Sequence, residues 1–311
     1  MEVLKKEYSF QSTSELAKIY ARCWYPDTQV KAVFQIMHGM AEHGDRYEDF
    51  AKYLCSFGFA VVVDDHLGHG KSVINDDYLG YFGDIGGWDY IVRDERNLTE
   101  MIEEEYPDIP VIVFGHSMGS FMVREYLRRY GRDKRIKGAV ICGTGGKNPA
   151  LGFAIKLCSM LKKTKGAMYK SKFVDKLAFG AYNKRIASPK TAFDWLSTDE
   201  NQVEKYVADK YCGFLFTVAA FKDLFTLLSK VSEDRWFNEL NKEMPLLVTA
   251  GLEDPVGNYG DGVRWVFDKL KEAGIKDVKI QLYPGMRHEI LNETQNAEVY
   301  ENIKDWAVSK I

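Results

Sequence analysis

Ser117 stands in Gly115-His116-Ser117-Met118-Gly119, between the apolar run Val111–Phe114 and the helix-patterned stretch Met118–Tyr130. A serine in Gly-x-Ser-x-Gly on a strand-to-helix turn is built to attack a carbonyl carbon. The turn is so tight that the serine backbone must be strained, and only small residues fit two positions to either side. It raises the hydroxyl above the sheet edge. The first turn of the next helix then faces the site, where its free N–H groups and dipole favour developing negative charge. A chance Gly-x-Ser-x-Gly in a loop would lack the strand before it and the helix after it.

A serine hydroxyl is a poor nucleophile until a base takes its proton. There are six histidines: His38, His43, His66, His69, His116 and His288. Around such a turn the acid and then the histidine follow the serine in chain order, and only His288 lies beyond Ser117. His288 belongs to the loop Pro284–Glu289 after the apolar run Val278–Tyr283. That puts it at the carboxyl end of the last expected strand, where ligands gather in open α/β sheets. The acid is expected just after Leu246–Ala250, in Gly251-Leu252-Glu253-Asp254-Pro255. Asp254 is the choice for orienting the imidazole, because Asp-Pro marks a turn in which it points inward, with Glu253 as its rival. Two N–H donors must meet the oxyanion. One is Met118 N–H, next after the serine. The other is Met40 N–H, in the glycine-bearing loop His38–Gly44 after Ala32–Met37. The chemistry is acyl transfer through an acyl-enzyme to water.

These residues need a frame that brings distant loops together. Two antiparallel strands are expected at Glu7–Ser12 and Ala17–Tyr25. Apolar runs then alternate with amphipathic stretches: Ala32–Met37, a helix over Tyr47–Phe57, Ala60–Val63, a helix over Trp88–Tyr106, Val111–Phe114, the helix Met118–Tyr130, and Lys137–Cys142. Unbroken apolar runs mean strands buried on both faces, and alternation with helices means parallel crossovers, so the class is α/β with a doubly wound sheet. From about Gly146 to Glu243 only helical patterns occur. Strands resume at Leu246–Ala250 and Val278–Tyr283, with helices over Gly262–Ala273 and Ala297–Ile311. The reading is a core of 1–146 and 244–311 carrying an inserted helical cap, 147–243.

Composition excludes several classes. A net charge of −3 over 311 residues, with no clustered basic face, gives no nucleic-acid footprint. The opening MEVLKKEYSF lacks the apolar stretch of a signal peptide, and no run reaches the 18 apolar residues of a membrane span. Five scattered cysteines argue against a disulfide framework and for a reducing, cytoplasmic compartment. The four histidines of the two glycine loops lack the spacing of a zinc site, so they read as loop anchors and no metal is expected. Gly68-His69-Gly70-Lys71-Ser72 lacks the spacing of a phosphate loop. The apolar stretch Gly213–Leu228 suits packing onto the core, an acyl-chain tunnel, or both. The lysines Lys162, Lys163, Lys165, Lys170 and Lys172 suit a solvated face or transient contact with an anionic lipid surface.

Several motifs add a resemblance. His38-Gly39-Met40-Ala41-Glu42-His43 with Arg46-Tyr47, Asp65-His66-Leu67-Gly68-His69-Gly70-Lys71-Ser72 and Gly115–Gly119 resemble the HGxxEHxxRY, DxxGHGxS and GHSMG segments of the monoacylglycerol lipase and lysophospholipase-like branch of α/β-hydrolases. The resemblance covers essentially the whole chain. It implies the α/β-hydrolase fold, a cap over the site, ester or monoacyl-lipid substrates and no cofactor, with Asp254 and His288 where the branch has its acid and base. Asp194-Trp195-Leu196-Ser197 through Cys212-Gly213-Phe214 resembles the cap of bacterial members. Cap sequences vary, so the substrate-binding residues stay unknown. Some relatives of the branch are called peptidases, and an amidase or aminopeptidase would use the same triad. A hydrolase fold kept only for binding would show a damaged triad, and none of the three positions is damaged. A dehalogenase or epoxide hydrolase of this fold would need Asp in place of Ser117.

Overall fold

The structure, a computed structural model, describes residues 2–311; Met1, the first residue of the expected core, lies outside them. The chain opens with the hairpin β1 (Val3–Gln11) and β2 (Lys18–Pro26), then β3 (Ala32–Met37), α1 (Glu48–Cys55), β4 (Phe59–Asp65) and α2 (Gly87–Glu105). β5 (Val111–His116), α3 (Met118–Tyr130) and β6 (Ile136–Cys142) follow. Five helices come next: α4 (Leu151–Lys165), α5 (Lys172–Phe179), α6 (Glu200–Ala208), α7 (Val218–Val231) and α8 (Asp234–Glu239). The chain closes with β7 (Leu246–Gly251), α9 (Asp261–Glu272), β8 (Val278–Tyr283) and α10 (Asn296–Val308).

All eight strands form one sheet in the order β1-β2-β4-β3-β5-β6-β7-β8. From β4 to β8 the neighbours are parallel, while β1–β2 and β2–β4 are antiparallel. Burial follows the composition of each strand. Every residue of β3, β4 and β5 is buried, as their Val, Ile, Phe and Ala runs require. β1 alternates between half-buried and exposed positions, as an edge strand with one wet face should. It begins at Val3, ahead of the expected Glu7, because its pairing with β2 continues through Lys5 and Lys6 to Pro26. The helix expected over Tyr47–Phe57 is shorter. A 3-10 turn occupies Gly44–Tyr47, and the chain leaves α1 through Gly58 at φ 93°.

Strand order reverses between β3 and β5, since β4 lies on one side of β3 and β5 on the other. Loops leaving such a switch point diverge and open a crevice at the carboxyl ends of the strands. The register aligns those ends: Met37 pairs with Gly115, His116 with Cys142, and Gly251 with Tyr283. The loops carrying Gly39, Ser117, Gly143, Asp254 and His288 therefore leave along one edge.

The long stretch between β6 and β7 is helical, as its pattern predicts, with a single isolated bridge, Lys170 to Thr217. Its parts differ in burial. α7 is buried along Val218–Phe221 and again at Leu224, Phe225, Leu227 and Val231, and it joins the main core through α2 and α3. Arg124 of α3, fully buried, donates to Gly145 O and to Val231 O at the end of α7. Burial pulls its guanidinium down to about 9. Asp223 of α7 accepts from Gly87 N–H at 3.0 Å and so caps α2 from outside that helix. α4 and α5 bury little, and Phe153, Met160, Phe173 and Leu177 are exposed.

Candidate active site

The expected residues stand just past the carboxyl ends of strands along one sheet edge, Met118 as the first residue of α3 and the others on loops. Ser117 follows β5 directly, at φ 54° and ψ −117°, in the left-handed half of backbone space that a side chain enters only under strain. Its glycine neighbours have no room for anything larger. A Cβ on Gly115 would lie 2.1 Å from Gly119 O, and one on Gly119 would lie 2.0 Å from Met37 O. The serine is thus held by close backbone contact of β5, α3 and the end of β3, as the sequence motif requires.

His288 Nδ1 lies 2.9 Å from Asp254 Oδ2, and both side chains are buried. The other Asp254 oxygen accepts from Val256 N–H at 2.8 Å. With one oxygen held by the backbone, the second is fixed toward the imidazole. Glu253, the rival, is exposed. Gly143, at φ 61°, lets the loop after β6 approach the histidine, since a Cβ there would be 3.1 Å from His288 Cε1.

The loop after β3 comes from the other side. A Cβ on Gly39 would lie 3.2 Å from Ser117 Cβ, which measures how closely this backbone approaches the serine. Among the described residues neither Met40 N–H nor Met118 N–H donates to an acceptor. Two free amides beside one serine are what a developing oxyanion needs. Ala41, next in the loop, has φ 52°, and its carbonyl accepts from Tyr206 O–H and Gly213 N–H, each at 2.9 Å.

The glycine-loop histidines act as anchors. His66 N–H donates to His38 Nε2 at 3.0 Å, His66 Nε2 faces His38 O at 3.1 Å, and the two rings stack at 3.7 Å. His38, Asp64 and His66 bring one potential metal-ligand atom each within 4.8 Å of one another. Both His38 nitrogens are already engaged, however, Nδ1 by Gly39 O and Nε2 by His66 N–H. Burial disfavours charge on His66, but Asp64 and then Glu95 raise it to about 10, so it remains cationic.

The helical insertion reaches the site at defined points. Trp195 lies 5.1 Å from the His288 ring, Tyr182 lies 4.9 Å from Trp195, and Phe179 lies 5.5 Å from Tyr182. Arg287 donates to Asp194 O and Ser197 O at 2.7 and 2.8 Å, tying the loop after β8 to the insertion. Sequence reasoning missed Trp195 and Tyr182, because their approach to His288 depends on how the insertion folds back. It also assigned no role to Glu42, Arg46 or Glu289, although the first two lie in the HGxxEHxxRY segment.

Residues 28–295 match the family described as Hydrolase_4, Serine aminopeptidase, S33. The chain belongs to this family. Among similar members of known name, the monoacylglycerol lipase of Mycolicibacterium smegmatis is 28% identical, covering 99% of this chain and 98% of that protein. The monoglyceride lipase of Rattus norvegicus is 33% identical over 94% of this chain and 88% of its own. A thermostable carboxyl esterase from Bacillus coagulans, solved in complex with glycerol, superimposes with a TM-score of 0.92 at 31% identity, covering 98% of each chain. This S33 member therefore has the α/β-hydrolase fold, with the strained serine turn at its switch point.

Proposed function

We propose that the chain is a carboxylic ester hydrolase in which Ser117 is the nucleophile, His288 the general base and Asp254 the residue that orients it. The observation that carries the reading is the buried Asp254–His288 pair at 2.9 Å on the sheet edge that also presents the strained Ser117. Ser117 attacks the ester carbonyl as His288 takes its proton. Met40 and Met118 N–H groups bind the oxyanion. The alcohol leaves protonated by His288, and water returns by the same route to release the acid.

The substrate class is monoacyl esters: monoacylglycerols, lysophospholipids or simple carboxylic esters. Relatives named monoacylglycerol lipase and carboxyl esterase support this, and so does the aromatic run Trp195, Tyr182, Phe179 leading away from His288. The segment 147–243 works as the cap, with α7 and α8 as its fixed base on α3 and the part before α7 as the cover. No helix among the described residues is long and apolar enough to cross a membrane. All five cysteines are free, which supports a reducing, cytoplasmic location.

The reading is tested by a fluorophosphonate label together with a substrate panel. The label should attach at Ser117. p-Nitrophenyl esters and monoacylglycerols should be cleaved, and aminoacyl amides should react at least about a hundredfold more slowly, a difference of about 2.7 kcal/mol in transition-state binding. A panel led by aminoacyl amides would make the enzyme a peptidase instead.

Transient lipid contact belongs to the same proposal. α4 and α5 expose Phe153, Met160, Phe173 and Leu177 beside the exposed Lys156, Lys163, Lys165, Lys172 and Lys176. Each lysine near an anionic surface contributes about 1 kcal/mol. The protein should co-sediment with phosphatidylglycerol vesicles and much less with phosphatidylcholine ones, and high salt should release it. Equal binding to both would sink the electrostatic part.

A further inference from the structure

Behind the serine turn lies a buried cluster that the acyl-transfer scheme does not use. Arg46 grips Glu289 with two hydrogen bonds, Nη1 to Oε1 and Nη2 to Oε2, each 2.7 Å, and its Nη1 reaches Glu42 Oε2 at 2.6 Å. Glu42 Oε1 accepts from Gly39 N–H in the oxyanion loop and from Tyr47 O–H at 2.9 Å. His116, the residue before the nucleophile, faces Glu42 Oε1 through Nδ1 at 3.4 Å and the His288 carbonyl oxygen through Nε2 at 3.2 Å. Its ring centroid is 4.6 Å from that of His288.

The proton inventory of this cluster is constrained. A peptide carbonyl accepts only, so Nε2 must carry a hydrogen. Nδ1 faces a carboxyl group, and either the ring or the acid holds the shared proton. Glu42 Oε1 already receives Gly39 N–H and Tyr47 O–H, and a proton placed on it would confront the amide hydrogen. Glu42 Oε2 receives the Arg46 guanidinium. The proton therefore belongs on His116. Charge counting agrees. Arg46 and a protonated His116 offset Glu42 and Glu289, whereas a neutral ring beside two ionised acids would leave an uncompensated buried negative charge, a costly arrangement. The titratable groups facing His116 are Glu42, then Arg46 and Tyr47 of the next turn, His288 and Glu289 of the base loop, and the buried thiol of Cys142 on β6. Burial opposes charge on His116, yet the hydrogen bond and field of Glu42 raise it above the ordinary imidazole value. Burial likewise opposes charge on Glu42, yet Arg46 and then His116 hold it well below the usual carboxylate range.

We propose that His116 is a positioning residue that works as a doubly protonated imidazolium, bracing the base loop at the His288 carbonyl and, through Glu42, the oxyanion loop at Gly39. The inference rests on the reading of Ser117, His288 and the oxyanion loop as the reacting groups. One buried cation then joins three loops that meet only in the folded protein. A neutral ring can donate to one of its two partners at a time, so losing the second proton would free one loop from the other.

The direct test is the nitrogen spectrum of the six imidazoles, read in the wild-type protein and in Ser117→Ala, with His116 assigned by its loss in His116→Asn or, should that variant not fold, by its shift in Glu42→Gln. His116 should show two protonated nitrogens at pH 7, where an ordinary imidazole is mostly neutral. One unprotonated nitrogen at pH 7 would overturn the proposal. This readout does not depend on which residue is the nucleophile, so it separates failure of the bracing from failure of the triad. In kinetics on a short-chain p-nitrophenyl ester, His116→Asn should lower kcat about a hundredfold, the cost of misplacing catalytic groups by an ångström, with KM changed less than about threefold. An unchanged kcat in folded His116→Asn would equally refute it.

Discussion

Ser117→Ala should lower kcat for ester hydrolysis by about 10⁴- to 10⁶-fold and abolish fluorophosphonate labelling, while the protein stays folded. The size follows from the reaction path. Without the hydroxyl there is no acyl-enzyme, and His288 can at best activate water against a substrate that the oxyanion donors still bind. The residual rate over solution then comes from those donors and from binding alone. The fold should tolerate the change, because alanine takes the same backbone position at φ 54° with no greater steric demand than serine. Thermal unfolding checks that, and steady-state kinetics checks the loss. Undiminished hydrolysis by folded Ser117→Ala would show that another residue is the nucleophile.

Asp254→Asn should cost about 10⁴ in kcat, and Glu253→Gln should leave kcat within about twofold. Asp254 has 0% exposure, and its two oxygens have divided tasks, one on Val256 N–H and one on His288 Nδ1. In the variant, Val256 N–H keeps the amide oxygen of the introduced asparagine on its own side, so the NH₂ group falls opposite His288. Two donors cannot face one another, so His288 must turn its unprotonated nitrogen to the amide and carry its hydrogen on Nε2. A histidine in that tautomer cannot take the serine proton. Glu253 is solvated and faces no imidazole. Equal losses in the two variants would mean that the neighbours share the role of acid.

Much of this protein was legible in its residue order. Ala32–Met37, Met118–Tyr130 and Val278–Tyr283 stand with the expected boundaries, because an unbroken apolar run or a 3.6-residue period is a local signal. Element ends moved where neighbours decided them: β1 lengthened by pairing with β2, and α2 begins at Gly87, under the carboxylate of Asp223 from α7. The apolar stretch Gly213–Leu228 offered two readings, and α7 is buried against α2, α3 and α4 as core packing demands.

The sequence by itself determined that a strained serine turn joins a strand to a helix, that one histidine follows it, and that an acid precedes that histidine after a buried strand. These are facts of chain order, local period and glycine placement, and they need no partner beyond the adjacent turn. Only the tertiary structure decided which of Glu253 and Asp254 is buried against His288, that Trp195 lies beside that ring, and that Glu42, Arg46, His116 and Glu289 close into one ionic cluster. Those outcomes depend on sheet register and on loops far apart in the chain being packed at one edge. Whether a carboxylate faces an imidazole or water is settled by the solvent that packing excludes, which no local pattern of residues records.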